Sequence, residues 1–359
     1  MLESRIKNLK IENFRNFYSK EFVFESNKIL ISGPNGSGKT SVLEAISLMS
    51  AGKGIKGSKF SEQITFESQE WFLKFHLESY IGNVIIEQNH SDARSKRNLF
   101  LNSRTITATE LNKLTTIFWP TPQLNGLFQE SQSIRRKYYD RIVYAFFHEH
   151  ASNIHKYEHY QTERLKILMM DYYDKNWVDV IENKLTELAI KISNSRIAVK
   201  NLVQNSIDNM DGMFPKITIF LEGDLEKIIE QDVNPTEKIK EKYKNSRIED
   251  TRAHRNHFGA LKTDFFVHHN TKNIIAKSCS TGEQQACMIT LLLGQTRAFL
   301  DNERKKPILL LDELFVHLDY NNRVYLTEYI SEQQIQTIVT TTESHLCSEF
   351  ASNAYIIEL

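Results

Sequence analysis

Eight consecutive residues, GPNGSGKT at 33–40, have the composition and order of a phosphate-binding loop. They match the pattern G-x-x-x-x-G-K-[ST], whose glycines let successive backbone N–H groups turn inward around an anion. In such a loop Lys39 adds a positive charge at the β- and γ-phosphates, and the hydroxyl of Thr40 is an oxygen ligand for Mg²⁺. The sequence therefore predicts a site for a nucleoside triphosphate, taken to be ATP. The predicted contacts come from Gly33, Pro34, Asn35, Gly36, Ser37, Gly38, Lys39, Thr40 and Ser41.

A second group of reactive side chains stands at the end of an apolar run. The residues ILLL at 308–311 predict a buried strand, and Asp312 and Glu313 follow at once. In a protein with a phosphate-binding loop, the first carboxylate holds Mg²⁺ and the second can take a proton from an attacking water. We therefore predict that Thr40 and Asp312 hold Mg²⁺, and that Glu313 and Lys39 are the catalytic residues.

A third segment, STGEQQ at 280–285, precedes an apolar stretch with the length of a helix. A helix that begins with serine and glycine suits an anion, because its free N–H groups and its dipole point at the ligand. This segment is separated from Thr40 by 239 residues, and one loop is enough for one triphosphate. Both sites are explained if the second closes over the nucleotide of a partner subunit, as in the ABC-type ATPases.

The elements around these motifs predict an α/β fold. Apolar residues at 29–31 predict a buried strand before the loop, and helical spacing at 41–49 predicts a helix after it. Alternation at 71–78 predicts a half-buried strand, and 133–208 have the pattern of two or three long helices. We predict an ABC-type P-loop head with two lobes of mixed sheets and helices. Its parts are 1–122 and 253–359, and 123–252 form an inserted, mainly helical lid domain.

The composition excludes several classes of protein. The 359 residues include 45 basic and 45 acidic side chains, so bulk positive charge cannot drive nucleic-acid binding. A basic surplus is local, because residues 1–150 contain 20 basic and 15 acidic side chains. Three cysteines lack disulfide or zinc spacing, and no apolar run reaches the roughly 18 residues of a membrane span. These features predict a cytoplasmic protein without a membrane partner.

Taken in order along the chain, the motifs resemble those of the RecF family of bacterial DNA repair proteins. The resemblance covers nearly the whole chain. The phosphate-binding loop and the carboxylate pair occur in a much larger superfamily. The most specific evidence for the resemblance is therefore the NFRN opening, the two segments that follow position 117 and the STGEQ signature. The matching segments are NFRNF (13–17), GPNGSGKTSVLEAI (33–46), FWPTPQL (118–124), IRRKYYD (134–140), CSTGEQQ (279–285), LLLDEL (309–314) and HLD (317–319).

The resemblance implies a fold, an activity and partners. The fold is an ABC-type ATPase head like those of the SMC-like repair ATPases, with a helical lid in place of a long coiled coil. The activity is weak, DNA-stimulated ATP hydrolysis by an ATP-induced homodimer that binds DNA at junctions of single and double strands. The partners are RecR and RecO, with which the family helps to load RecA during recombinational repair and replication.

The resemblance also implies roles for single residues. Ser280 and Gly282 would meet the γ-phosphate of the nucleotide bound by the partner subunit. Arg15 and Asn16 would approach the nucleotide, and Gln123 would contact Mg²⁺.

The sequence departs from related patterns at two places. The family has a GPHR-type segment before the signature, and here the matching residues 259–264 read GALKTD. ABC transporters have a histidine after the last core strand, whereas the strand predicted at 337–341 runs into Thr342 and Glu343. The sequence therefore assigns no sensor for the γ-phosphate.

Basic clusters in the N-terminal half are the candidates for DNA contact. Basic residues without base-reading geometry suit phosphates, and such binding is sensitive to salt and independent of sequence. The candidates are Lys53, Lys56, Arg94, Lys96, Arg97, Arg135 and Arg136.

Two functions of other classes remain as alternatives. One is the ATPase subunit of a nuclease or defence complex with a similar head. The other, less consistent with the sequence, is the nucleotide-binding subunit of a transporter, which predicts a short gap between the loop and the signature instead of the 239 residues found here.

Overall fold

The structure is a computed structural model that describes residues 4–50, 52–93, 96–120, 126–303 and 305–359. Among the helices in these ranges, none combines the length and the hydropathy of a membrane-spanning segment. The chain divides into two compact units. The first unit is formed by Met1–Leu124, Met210–Phe214 and Thr296–Leu359, and the second by Asn125–Asn209 and Pro215–Gln295.

The described residues form a mixed α/β structure in both units. The strands are β1 (Arg5–Phe14), β2 (Phe17–Val23), β3 (Lys28–Ser32), β4 (Glu70–Ser79), β5 (Gly82–Ser91), β6 (Asn98–Leu101), β7 (Arg104–Thr105), β8 (Ile117–Phe118), β9 (Ile217–Glu222), β10 (Asp264–His269), β11 (Ile274–Ile275), β12 (Ile308–Asp312), β13 (Thr337–Thr341) and β14 (Tyr355–Glu358). The helices are α1 (Lys39–Ser47), α2 (Ala108–Leu114), α3 (Gln132–Phe146), α4 (His150–Leu168), α5 (Lys175–Asp208), α6 (Asp224–Gln231), α7 (Pro235–Ala253), α8 (Thr281–Asn302), α9 (Tyr320–Gln333) and α10 (Ser348–Ala351).

A parallel sheet in the first unit carries the phosphate-binding loop and the carboxylate pair. Its strand order in the described chain is β14-β3-β13-β12-β8. Strands β3 and β12 are apolar and almost entirely buried, as parallel strands covered on both faces must be. Strand β13 lies between them, with Thr340 opposite Ile31 on one side and Asp312 on the other. The loop after β3 and the carboxylates at the end of β12 therefore lie at the same edge of the sheet, one strand apart.

An antiparallel sheet completes the first unit. Its order, within the residues described, is β2-β1-β4-β5-β6-β7. The predicted alternation at 71–78 is confirmed, because Trp71, Leu73, Phe75 and Leu77 of β4 are buried while the residues between them are more exposed. These side chains belong to the same hydrophobic core as α1, β3 and β12. The core therefore fixes the helix that begins at the phosphate-binding loop.

The second unit is built around the long helices predicted at 133–208. These are α3, α4 and α5, and α5 alone has 34 residues. The buried residues of α5 include Val178, Ile181, Leu185 and Ile192, at the spacing of one helix face. They share a hydrophobic core with α4, α6 and α7. Strands β9, β10 and β11 form a small antiparallel sheet in the same unit.

The compact units do not follow the predicted domain boundary between 252 and 253. Residues 253–295 belong to the second unit, because β10 pairs with β9 and places Phe266 opposite Phe220. The chain returns to the first unit inside α8, between Gln295 and Thr296. A pairing between strands so far apart in the chain leaves no trace in local periodicity, so the sequence pattern could not locate this boundary.

The short segment Met210–Phe214 belongs to the first unit, although the chain on both sides of it lies in the second. The hydroxyl of Tyr325 on α9 donates to the carbonyl oxygen of Asp211 over 2.8 Å, and its ring packs edge-on against Phe214. A Cβ at Gly212 would lie 2.3 Å from the hydroxyl oxygen of Tyr325, so a larger residue at this position would displace that side chain.

Candidate functional site

The phosphate-binding loop connects β3 to α1 and has backbone geometry suited to glycine. Gly36 and Gly38 have φ of 83° and 107°, in the left-handed region. At Gly38 space also excludes a side chain, because a Cβ there would lie 2.5 Å from the ring of Phe17. Helix α1 begins at Lys39, so its free N–H groups face the loop. The loop thus offers donors and a helix dipole to an anion.

The buried side chain of Lys39 turns back over this loop. Its Nζ donates to the carbonyl oxygens of Gly33 over 2.8 Å and of Pro34 over 3.0 Å. The nearest carboxylate is that of Glu313, whose Oε1 lies 3.9 Å from Nζ. The ammonium group therefore contacts two neutral carbonyls and forms one long ion pair. A phosphate would bind it more strongly and could replace these partners.

Asp312, the last residue of β12, lies between two threonine hydroxyls. Oγ1 of Thr40 is 3.1 Å from Oδ2 and 3.3 Å from Oδ1 of Asp312. Oγ1 of Thr340 donates to Oδ1 over 2.5 Å. Mg²⁺ takes a few oxygen ligands from a protein and the rest from water and phosphate, so Thr40 and Asp312 fit this ion. A cage of three or more His, Cys, Asp or Glu residues is not found in the described part of the chain.

Glu313 follows Asp312 in a strained conformation at the mouth of the site. Its φ of 50° is in the left-handed region, which costs a residue other than glycine about 1–3 kcal/mol. Its backbone N–H donates to both the carbonyl oxygen and Oγ1 of Thr340, each over 3.1 Å. The side chain is 41% exposed, and it faces Lys39. A carboxylate held in this way can accept a proton from a water in the cavity.

A cavity of about 540 Å³ lies against the loop, Lys39, Thr40 and Glu313, a size typical of sites for small ligands. The structure therefore brings together most of the residues predicted from the loop and from the carboxylate pair. Gly33 and Pro34 contribute through the carbonyls that hold Lys39, and the buried hydroxyl of Ser37 has no hydrogen-bond partner. The cavity is lined by Arg15, Asn16, Asn35, Gly36, Gly38, Lys39, Thr40, Ser41, Lys56, Glu62, Ile64 and Glu313.

The turn between β1 and β2 brings Arg15 and Asn16 to the rim of this cavity. Arg15 has a φ of 56°, and its guanidinium donates to both carboxylate oxygens of Glu44 over 2.8 Å and 2.6 Å. The amide of Asn16 donates to the carbonyl oxygen of Ser37 over 3.3 Å. Both side chains thus lie where they could contact a bound nucleotide, as the family resemblance implies.

Glu44 and Lys56 lie at the site, and sequence reasoning assigned neither of them to the nucleotide. The Glu44 side chain on α1 has no exposed surface, and it accepts hydrogen bonds from Arg15 and from the hydroxyl of Ser58 over 3.0 Å. Nζ of Lys56 lies 4.0 Å from Glu44, and Lys56 lines the cavity. Lys56 was predicted to contact DNA, which stays a prediction, and the glycine-rich loop after α1 also places it at the nucleotide cavity.

The signature residues Ser280 and Gly282 stand at the start of α8, in the second unit. The backbone N–H of Ser280 donates to the carboxylate of Glu283 over 2.9 Å, and Lys272 forms an ion pair with the same carboxylate. The bond from Lys272 and the bonds from Ser280 lower the pKa of Glu283 to about 2. A Cβ at Gly282 would meet no atom within 4 Å, so this position faces open space.

Three arginines predicted to contact DNA are used inside the fold. Arg97 donates to the carbonyl oxygen of Ser50 over 2.7 Å and caps the end of the α1 region. Arg135 makes a two-point ion pair with Asp264, and Arg136 is buried and donates to a main-chain carbonyl. These contacts occupy the three guanidinium groups within the fold, and their contact with DNA stays a prediction. They arise from chain segments far apart in sequence, which the basic clusters alone could not reveal.

The other predicted DNA contacts are Lys53 and Lys96, which are exposed in the first unit. Arg94, and Gln123, which was predicted to contact Mg²⁺, lie outside the described residues.

Comparison with known proteins gives a family and relatives. Residues 5–358 match the model of the RecF/RecN/SMC N terminal domain. The DNA replication and repair protein RecF of Rickettsia prowazekii (strain Madrid E) is 38% identical over 360 residues, which are 99% of each chain. The protein of the same name from Rickettsia felis (strain ATCC VR-1525 / URRWXCal2) is 38% identical over 355 residues, 99% of this chain and 98% of the relative.

Solved structures share the fold. The recombination mediator protein RecF of the RecFOR pathway, solved with ATP, has a TM-score of 0.84 at 23% identity and covers 99% of this chain and 95% of its own. An Smc head domain with an extended coiled coil, derived from Pyrococcus furiosus, has a TM-score of 0.54 at 16% identity, over 99% of this chain and 93% of its own. The predicted ATPase-head fold is thereby confirmed.

Proposed function

The chain belongs to the RecF family of DNA replication and repair proteins, and on this premise we propose that it is an ATP-gated dimer that holds DNA during recombinational repair. ATP binding closes the dimer, and slow hydrolysis opens it. ATP then determines how long the dimer stays closed, and its hydrolysis need not drive mechanical work. ATP shifts a monomer–dimer equilibrium only through its preference for the closed state.

The observation that carries this proposal is the convergence of Lys39, Thr40 and Glu313 on a cavity large enough for a nucleotide, with Asp312 held against Thr40. Bound Mg²⁺ would neutralise charge on the phosphates, with Thr40 and Asp312 as its protein ligands. Lys39 would exchange the carbonyls of the loop for phosphate oxygens. Glu313 would orient the attacking water and accept its proton.

The signature in the second unit supports the dimer. Ser280 and Gly282 are at the start of a 22-residue helix, in a unit from which no described residue lines the cavity. Their use as a phosphate site is explained if they face the nucleotide of another copy of the chain. Asp319, whose side chain accepts from the N–H of Asn322 at the start of α9, would sit in the loop after β12 that contacts the partner.

We further propose the partners that the family and its solved relatives indicate. The chain would act with RecR and RecO, would help to place RecA on gapped DNA, and would do so in the cytoplasm. DNA would be bound at junctions of single and double strands through phosphate contacts, for which Lys53 and Lys96 are exposed. Such contacts make DNA affinity fall as salt is raised.

The test is the molar mass in solution, measured by light scattering without nucleotide, with Mg²⁺ and ATP, and for Glu313→Gln with Mg²⁺ and ATP. We expect a mass near 41.9 kDa without ATP and near twice that value with ATP. Glu313→Gln should slow hydrolysis by at least about 100-fold, because a general base typically contributes this much, and its dimer should last longest. Glu328→Gln, exposed on α9, is the matched control and should behave as the parent protein.

A chain that binds ATP and stays monomeric in all these conditions would overturn the dimer. Ser280 would then lose its proposed role, and the proposal of an ATP-gated clamp would fail with it. A protein that binds no ATP would overturn the proposal at its first step.

A further inference from the structure

We propose that Thr340 is a positioning residue that holds both carboxylates of the nucleotide site through one hydroxyl. This inference rests on the proposed ATPase function. The sequence motifs of the phosphate-binding loop and the carboxylate pair do not indicate a role for Thr340. This residue lies on β13, the strand between the two motifs.

The hydroxyl of Thr340 has two partners, one on each side. It donates its proton to Oδ1 of Asp312 over 2.5 Å. It also accepts the backbone N–H of Glu313 over 3.1 Å, and the carbonyl oxygen of Thr340 accepts the same N–H over 3.1 Å. Thr340 has no exposed surface, so water does not compete for these bonds. One buried side chain thus contacts both residues of the pair.

The sheet topology makes this contact possible. Strand β13 lies between β3 and β12, and Thr340 is the register partner of Asp312 in parallel pairing. Side chains of register partners lie on the same face of a sheet, so the hydroxyl reaches the carboxylate directly. Thr40, on the helix after the loop, approaches Asp312 from the loop side over 3.1 Å. Asp312 is therefore clamped between two hydroxyls that come from different elements.

The first consequence concerns Mg²⁺. A carboxylate binds a metal well only when its oxygens are held in one orientation, and hydrogen bonds from outside the coordination sphere supply that orientation. Oδ1 of Asp312 is occupied by the proton of Thr340, which leaves Oδ2 turned toward Thr40. Loss of the hydroxyl would let the carboxylate rotate, and the affinity for Mg²⁺ would fall.

The second consequence concerns Glu313. Its left-handed backbone, with φ of 50°, persists only if the surroundings hold it. Thr340 offers two acceptors to the N–H of Glu313, and the hydroxyl is one of them. Without this hydroxyl the strained backbone of Glu313 would be held less firmly, and its side chain would be directed toward Lys39 less of the time. The rate of hydrolysis would therefore fall by a larger factor than the affinity for nucleotide.

The test compares Thr340→Val, Thr340→Ser and Thr337→Val. Valine has the shape of threonine without the hydroxyl, and serine keeps the hydroxyl. Thr337 is the matched control, because it is on the same strand, is equally buried, and donates only to the carbonyl oxygen of Ile335 over 3.2 Å. The measurements are the affinity for a fluorescent ATP analogue with Mg²⁺ and with EDTA, the Mg²⁺ concentration for half-maximal binding, and kcat and KM for ATP.

For Thr340→Val we expect at least a tenfold higher Mg²⁺ requirement and a 10–100-fold lower kcat, the range seen when partners outside a coordination sphere are removed. Affinity in EDTA should stay within about threefold of the parent protein, because Lys39 and the loop are untouched. Thr340→Ser should recover most of both losses. Thr337→Val should bind Mg²⁺ and nucleotide as the parent protein does.

Equal Mg²⁺ requirement and equal kcat in Thr340→Val and the parent protein would overturn the positioning role. Equal losses in Thr340→Val and Thr337→Val would also overturn it, because both would then reflect general damage to the strand. Failure of the proposed function would be recognised separately, since the parent protein itself would bind no analogue.

Discussion

In the second unit, Arg164 is completely buried and donates to Glu182 over 2.8 Å and to Asp250 over 2.6 Å. In the first unit, Lys39 is buried as well, yet its nearest carboxylate is 3.9 Å away and belongs to Glu313 at a cavity. Of these two buried cations, Arg164 is therefore paired tightly and Lys39 loosely.

The buried ion pairs of the second unit involve several neighbouring helices. Arg164 also donates to the carbonyl oxygen of Tyr243 and to the side chains of Asn256 and Ser246, so a network of donors and acceptors closes around its guanidinium. A second network joins Arg196 to Asp140 through two bonds of 2.8 Å and 2.9 Å. These charges have their partners within the fold, and they tie α3, α4, α5 and α7 to one another.

The difference shows how a ligand site can be told from a structural network. At the nucleotide site, hydroxyls and carbonyls hold Lys39 and Asp312 in place without neutralising them, whereas Arg15 at the rim is paired with Glu44. In the second unit, opposite charges neutralise each other out of reach of solvent. Burial of a charged side chain does not distinguish a ligand site from a structural network. The chemical identity of the partner that the charged side chain contacts does distinguish them.

The largest expected effect is that of Arg164→Leu, which leaves Glu182 and Asp250 buried without their shared cation. Removing one member of a buried ion pair typically costs about 3–5 kcal/mol, so the free energy of unfolding should fall by this amount. Chemical denaturation followed by circular dichroism measures it. The control is Lys184→Leu, which removes an exposed pair on α5, the helix of Glu182, and should change stability little. A stable Arg164→Leu protein with weakened ATP or DNA binding would contradict the structural assignment.

A smaller effect is expected on acidification. Burial alone would raise the pKa of Asp140, but the Arg196 guanidinium and the bond from His150 outweigh burial and lower the pKa to about 2. A carboxyl with a depressed folded-state pKa adds stability above its unfolded value, 3.8, and this contribution is lost as the pH falls toward 2. The shift corresponds to about 2 kcal/mol.

The measurement is the free energy of unfolding between pH 5 and pH 2 for the parent protein and for Asp140→Asn. The variant should be less stable at pH 5, and its stability should decline less on acidification, by about 2 kcal/mol. Parallel pH profiles would show that Asp140 does not contribute in this way.

The smallest effect separates two lysines of one loop. Lys56 lines the cavity, whereas Lys53 is exposed and is not part of the lining. Lys56→Ala should weaken ATP binding by roughly fivefold, about 1 kcal/mol, because one charge near the phosphates is lost. Lys53→Ala should leave ATP affinity unchanged and reduce the salt dependence of DNA binding by about one unit of slope. Isothermal titration and DNA binding at several salt concentrations test both, and the reverse pattern would place Lys56 on the DNA surface.

Much of the fold and part of the site were predictable from local patterns. The glycine loop at 33–40 and the carboxylates after 308–311 are contiguous, and their chemistry follows from residue types in order. The long helices at 133–208 and the alternation at 71–78 follow from periodicity, because burial of one face repeats at the period of the element. The family could be suspected from the order of the motifs alone.

Only the tertiary structure decided which distant residues meet. The pairing of β10 with β9 assigned 253–295 to the second unit, and the internal partners of Arg97, Arg135 and Arg136 became visible. Thr340 became part of the site because β13 is inserted between β3 and β12. A motif records what one stretch of chain can bind, whereas strand order and helix packing determine which other stretches come within hydrogen-bonding distance of it. That is why the sequence identified the phosphate loop and its carboxylates, and why the hydroxyl that holds those carboxylates could be found only in three dimensions.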